Sequence, residues 1–215
     1  MTDPSWKGAE LERRVSRALG AFGFDSAAPR GSTTLGELVL QWAGLVLDWN
    51  ERMDLTAARD ADELVDLLLA DAAWLATQVR AGEQQWVDVG SGAGAPGLAL
   101  ALLVPELKLT LVEPKAKRVA FLRAVLSEIG RSDVVVERAR ADALPSRRFD
   151  VAVSRATLPP AAWVVEGARI ARTAVWVLLA QAPPPAPPSH FRQDLDQRYQ
   201  WPLGGAERRA VRFSK

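Results

Sequence analysis

The chain has 215 residues, 48% of them hydrophobic, with 27 basic and 26 acidic side chains; this suffices for one good core, makes an α/β domain with an appendage the expected class, and gives no global signature of a nucleic-acid binder. It has no cysteine and a single histidine, His190, which excludes disulfides, thiolate zinc sites, a cysteine nucleophile and a histidine cluster, so no metal centre is expected. The N-terminal M-T-D-P-S-W-K-G lacks an apolar signal core and no stretch approaches 18 uninterrupted apolar residues, so a soluble, cytoplasmic chain is expected, with no membrane contact.

Leu11, Val15 and Leu19 recur at four-residue spacing among Arg13, Arg14 and Arg17, which predicts an amphipathic helix over 8–22. A loop with glycine and proline follows to about Ser32. Thr34 with Glu37 makes a capping box that opens a helix carrying Leu35, Leu38, Trp42, Leu45 and Trp49 on its apolar face. Asp60 with Glu63 repeats that pattern before Leu64, Leu67, Leu68 and Leu75. Residues 1–80 are thus expected to form a helical cap beside a second unit at 81–215.

From Trp86 the pattern alternates. The run W-V-D-V breaks into Gly90, Gly92, Gly94 and Gly97, then a helix spans about 96–104. Strands at 109–112, 134–136, 149–154 and 175–179 follow, with helices at about 115–129 and 160–171. Five strands mostly separated by helices predict a parallel, doubly wound sheet, because parallel pairs need crossovers. The proline tract at 181–189 reads as an extended connector, and Tyr199, Trp201 and the run from Arg208 to Phe213 read as a terminal antiparallel hairpin.

The glycines at 90, 92, 94 and 97 let the backbone turn tightly and approach a ligand, while the helix that follows presents free N–H groups. Such a turn serves dinucleotides and S-adenosylmethionine (SAM), and Gly92 to Gly97 satisfies G-x-G-x-x-G. In open α/β sheets ligands bind beyond the carboxyl ends of the strands. Glu113, after the second strand, is placed to accept from ribose hydroxyls, or else is an acid at a helix start. Ala141 and Asp142, after the third, are placed to border an adenine, although Asp142 would also serve as an N-cap. Arg155, after the fourth, is placed to clamp a carboxylate, phosphate or base, with a surface ion pair as the plainer role. Only about 60 residues follow the fourth strand, and a proline tract interrupts them, which favours SAM over NAD.

The stretches W-N-E-R-M-D-L-T-A-A-R-D at 49–60, D-V-G-S-G-A-G-A-P-G at 88–97, K-R-V-A-F-L-R at 117–123 and F-D-V-A-V-S-R-A at 149–156 resemble the glucose-inhibited division protein B family. The resemblance implies a Rossmann-like SAM-dependent methyltransferase that forms 7-methylguanosine in 16S ribosomal RNA, acting on the RNA or the small ribosomal subunit; a monomer is expected. The resemblance also implies cofactor contacts at Gly90, Ala95, Glu113, Ala141, Asp142 and Arg155, beside which the glycine turn itself offers Gly92 and Gly94, and a basic pair at Lys117 and Arg118. Arg155 and Asp54 are the residues expected to orient the reaction, with Thr56 lining the pocket. The chain departs from the family at Asp54 (usually Asn), at Leu67 and Leu68 (an Arg-His pair) and at Ala180 and Gln181 (a Lys-Gly pair). Those losses fall on the RNA side of the cleft and keep two other readings open: methylation of a different substrate, or a SAM-binding relative without turnover. An RNA substrate calls for a basic face around Arg138, Arg140, Arg147, Arg148 and Arg155.

Overall fold

A computed structural model describes Trp6 and residues 8–215, so residues 1–5 and 7 of the predicted cap lie outside the described residues. Three helices open the chain: α1 (Ala9–Gly20), α2 (Leu35–Asn50) and α3 (Ala61–Ala76). The Thr34 capping box forms as expected: its hydroxyl accepts from Glu37 N at 3.3 Å while the Glu37 carboxylate takes Thr34 N at 2.8 Å. The second box closes only halfway. Asp60 accepts from Glu63 N at 2.8 Å, but Glu63 turns to the backbone N–H and guanidinium of Arg59, a charged donor that outbids the Asp60 amide. A two-residue hairpin, β1 (Pro29–Arg30) with β2 (Thr33–Thr34), occupies the predicted loop.

The remainder alternates through β3 (Gln85–Val89), α4 (Gly97–Leu103), β4 (Lys108–Val112), α5 (Ala116–Glu128), β5 (Val135–Glu137), β6 (Phe149–Arg155), α6 (Pro160–Ile170), β7 (Ala171–Leu179), β8 (Arg192–Gln200) and β9 (Glu207–Ser214). The seven strands form one sheet in the order β5-β4-β3-β6-β7-β9-β8. Pairs from β5 to β7 are parallel, and β9 is antiparallel to both β7 and β8. The architecture is Rossmann-like, mostly parallel and closed by an antiparallel hairpin, as expected. β3 is flanked by β4 and β6, so the strand order reverses across it, and the crevice at its carboxyl end is where such a sheet admits a ligand.

Alternation along β3 assigns its two faces. Trp86 enters the core shared with α1–α5, whereas Val87 and Val89 enter the core against α6. The first core runs without a break from Leu11 in α1 to Ala210 in β9, so the three opening helices are packed on the sheet.

β7 begins four residues before its predicted start, because Arg172 pairs with Asp150 at 2.9 Å and Thr173 Oγ1 donates to Asp150 O at 2.7 Å, extending the ladder with polar side chains. β8 begins seven residues before Tyr199, the first of its predicted aromatics. It is the edge strand, and it is fixed by side chains such as Asp196, bonded by Arg209 at 2.6 Å through both oxygens, rather than by an apolar stripe. The proline tract joins β7 to β8 without regular structure, as expected. No helix among the described residues is long and apolar enough to cross a membrane.

Candidate functional site

The turn after β3 is organised by its backbone. Gly90, Gly92 and Gly94 have φ of 81°, 54° and 108°, the left-handed region that favours glycine. A Cβ on Gly90 would overlap the Thr157 side chain, lying 2.6 Å from Cγ2 and 2.8 Å from Cβ. Thr157 and Ser154 both donate to the Val89 carbonyl, at 2.9 and 2.8 Å, which stitches the loop after β6 across the end of β3. Gly97 serves packing instead: its Cβ would meet Leu111 and Asp88 at 2.5 and 2.6 Å.

Two carboxylates stand behind the turn. Glu113 is buried, and its oxygens accept from Gly92 N at 3.1 Å and Lys115 N at 2.9 Å, so it holds the turn after β3 to the turn after β4. Asp88 is fully buried; Oδ2 accepts from Gly97 N at 3.0 Å and Oδ1 has no hydrogen-bond partner. Desolvation raises the Asp88 carboxyl to about 6, partly opposed by the Gly97 amide.

A cavity of about 370 Å³ opens from this turn. Val89 and Gly90 form one wall, Ala141 and Asp142 another, with Thr157 and Leu158 at the lip. Residues 141–143 make a single 3₁₀ turn that Arg169 fixes, donating to Ala141 O at 2.9 Å and Leu144 O at 2.7 Å while pairing with Glu166. The structure therefore brings Gly90, Ala141 and Asp142 onto one cavity, with Glu113 bonded to the turn behind it. Asp142 is exposed and lies 3.4 Å from Arg140, so it is not an N-cap.

Arg155 and Asp54 do not line that cavity. Arg155 is neither a free clamp nor a surface pair. Its Nη1 donates to Leu67 O at 2.7 Å and to Asp71 Oδ2 at 3.0 Å, both on α3. Asp71 is 2% exposed and also accepts from Tyr199 Oη at 2.7 Å and Trp201 Nε1 at 2.8 Å. Tyr199 stacks on Trp74 with centroids 4.9 Å apart, and burial together with the Asp71 charge pushes its phenol up. Asp66, one turn earlier, accepts from Gly204 N at 2.7 Å and caps the 201–205 turn; burial raises its carboxyl to about 6. α3 is thus pinned to the terminal hairpin on one side and to β6 on the other.

Asp54 is exposed on the loop between α2 and α3, and its carbonyl accepts from Arg118 Nη2 at 2.7 Å. Asn50 Oδ1 shapes that loop by accepting from Leu55 N and Thr56 N at 2.8 and 3.0 Å. The predicted basic face does not form as one surface. Arg147 and Arg148 precede β6 and Arg155 ends it, so they lie at opposite ends of that strand. Arg148 pairs with Glu137, Arg140 with Asp142 and Arg155 with Asp71, because nearby carboxylates neutralise them. Among the described residues no three His, Asp or Glu side chains are grouped to hold a metal.

Asp88, Asp71, Arg169 and Thr157 are not singled out from sequence, and Tyr199 and Trp201 are marked there only as part of the terminal hairpin. Asp66 and Asp71 carried a signal, since they interrupt the apolar face of α3 where a solvated acid has no place.

A family model described as GidB, rRNA small subunit methyltransferase G, matches residues 36–166. Proteins named ribosomal RNA small subunit methyltransferase G are similar: that of Chromohalobacter salexigens is 38% identical over 67% of this chain and 66% of its own, and that of Pseudomonas aeruginosa 40% identical over 55% of each. The chain thus spans about half to two thirds of the length of these relatives, whereas the Neisseria meningitidis serogroup A protein is 31% identical over 96% of this chain and 99% of its own. Among solved structures, a mutant of MtNAS in complex with S-adenosylmethionine aligns with a TM-score of 0.52 at 16% identity, covering 96% of this chain and 72% of that one. Pyrococcus horikoshii TYW2 in complex with MeSAdo aligns at 0.51 and 10% identity, covering 68% and 62%. These two support the fold.

Proposed function

Because the chain belongs to the GidB family, rRNA small subunit methyltransferase G, we propose that it transfers a methyl group from SAM to the RNA of the small ribosomal subunit, at N7 of a guanine. The observation that carries this reading is the cavity at the strand-order reversal, which joins the glycine turn to Ala141 and Asp142. Its residues fit SAM. Asp142 is exposed beside the cavity and suits an exocyclic amine, and Glu113 suits ribose hydroxyls because its oxygens have accepting capacity beyond the two amides they hold. The open backbone of Gly90, Gly92 and Gly94, followed by Ala95, is the seat for the amino acid end, with the unpaired Asp88 Oδ1 as a negative group behind it. SAM supplies an electrophilic methyl on a sulfonium.

Guanine N7 carries a free lone pair, so the protein need not remove a proton. Its work is to hold the base in line with the methyl and to exclude water from that axis. Arg155, held by Asp71 and Leu67, keeps a fixed positive charge near the end of β6, while Asp54, on the loop between α2 and α3, is an exposed acceptor for a base edge. We assign residues 1–80 the role of a helical cap beside the sheet unit 81–215, close to its cofactor edge, and propose a monomeric, cytoplasmic enzyme. Calorimetry with SAM, and NAD as control, tests the cofactor: SAM binding without NAD binding is expected, and absence of SAM binding overturns the assignment.

A further inference from the structure

A second cavity, of about 400 Å³, lies between the loop after α2 and the start of α5. Arg52, Lys115, Lys117 and Arg118 line it against a single carboxylate, Asp54. Other cations of the chain, among them Arg148, Arg169, Arg209 and Arg212, each sit on a carboxylate. Among the described residues Arg52, Lys115, Lys117 and Arg118 are in no ion pair, although the chain as a whole is nearly balanced, with 27 basic and 26 acidic residues. Four positive charges against one carboxylate leave the hollow net positive, and an anion relieves the repulsion among them.

Arg118 ties this hollow to the cofactor cleft. Its Nη2 holds the Asp54 carbonyl at 2.7 Å, and its Nη1 lies 3.9 Å from where a Cβ on Gly92 would stand. No closer atom than Gly90 O, at 3.8 Å, crowds that position. An anion held here is therefore next to the glycine turn. Arg52, Lys115 and Lys117 are exposed, so each contributes little to a small ion singly. A strand that presents linked phosphates gains from all of them, through release of its counterions.

We propose that this hollow is a seat for a phosphodiester of the RNA strand, placing a neighbouring nucleotide at the cleft mouth. The inference rests on the RNA reading above. It also supplies cationic contacts in a chain that has leucines at 67 and 68 and Ala-Gln at 180 and 181.

The test compares wild type with Lys115→Ala/Lys117→Ala and with the charge-preserving Lys115→Arg/Lys117→Arg. Three quantities are measured: SAM affinity by calorimetry, binding of a labelled single-stranded RNA 12-mer across a salt series, and KM for small subunits in methyl transfer. The alanine pair is expected to raise the RNA KM about tenfold and to flatten the slope of log affinity against log salt by about 0.7 per lysine. SAM affinity stays within twofold, and the arginine pair behaves as wild type. If wild type methylates RNA and the alanine pair matches it in KM and salt slope, the seat is wrong while the function stands. If wild type methylates no RNA yet binds the 12-mer in a lysine-dependent way, the function falls and the seat stands. Absence of RNA binding overturns both.

Discussion

Replacing Gly90 with alanine tests whether the glycine turn is built around Thr157. At φ 81° an L side chain costs about 1–2 kcal/mol. The new methyl would also displace Thr157, whose Cγ2 and Cβ lie 2.6 and 2.8 Å from it, and break the 2.9 Å bond to Val89 O. That bond is worth about 0.5–1.5 kcal/mol net. The sum, roughly 1.5–3.5 kcal/mol, corresponds to a fall of roughly 3–14 °C in melting temperature for a chain of this size. Thr157→Gly removes the three atoms nearest to the new methyl, so in that background only the dihedral strain remains. Thermal melts of the two single variants, the double variant and wild type then give a coupling energy of about 1 kcal/mol. Equal costs of Gly90→Ala in both backgrounds, or a Gly90→Ala melt at the wild-type temperature, would refute the packing argument.

Asp88→Asn keeps an acceptor for Gly97 N but removes a titrating group. The folded pKa, about 6, lies above the unfolded 3.8, so the native state holds the proton more tightly and stability falls as pH rises between those values. Urea unfolding from pH 4 to 7 should show wild type losing about 2 kcal/mol relative to the variant; parallel curves would sink the idea. Asp71→Ala strands Arg155, Tyr199 and Trp201 at once and should cost about 3 kcal/mol in denaturant unfolding, whereas Tyr199→Phe, which keeps the stack on Trp74, should cost roughly half that. Arg169→Ala touches no ligand in this account but frees the 141–144 turn, and calorimetry should show SAM affinity falling about tenfold with little change in melting temperature. An unchanged affinity would mean that the turn holds its shape without the arginine.

The alternation after Trp86 was legible because buried parallel strands read as apolar runs and each was bounded by a helix. β8 was not, since an exposed edge strand carries charges on both faces and shows no apolar period. The glycine turn, Glu113, Ala141 and Asp142 were readable from their place after strands. The Asp71 network was hidden, because it joins residues 128 and 130 positions apart in sequence, and only the packed hairpin brings Tyr199 and Trp201 to α3. For Arg155, position after β6 located the residue but not its partner, which comes from a helix 84 residues earlier.

The most direct test of the account is transfer of labelled methyl from SAM to small ribosomal subunits, and to their naked RNA, taken from a strain lacking guanine-N7 modification. The predicted result is one methyl per RNA, recovered as 7-methylguanosine, and lost when Asp142 or Glu113 is replaced by alanine. SAM binding without any methylation of that RNA would contradict it.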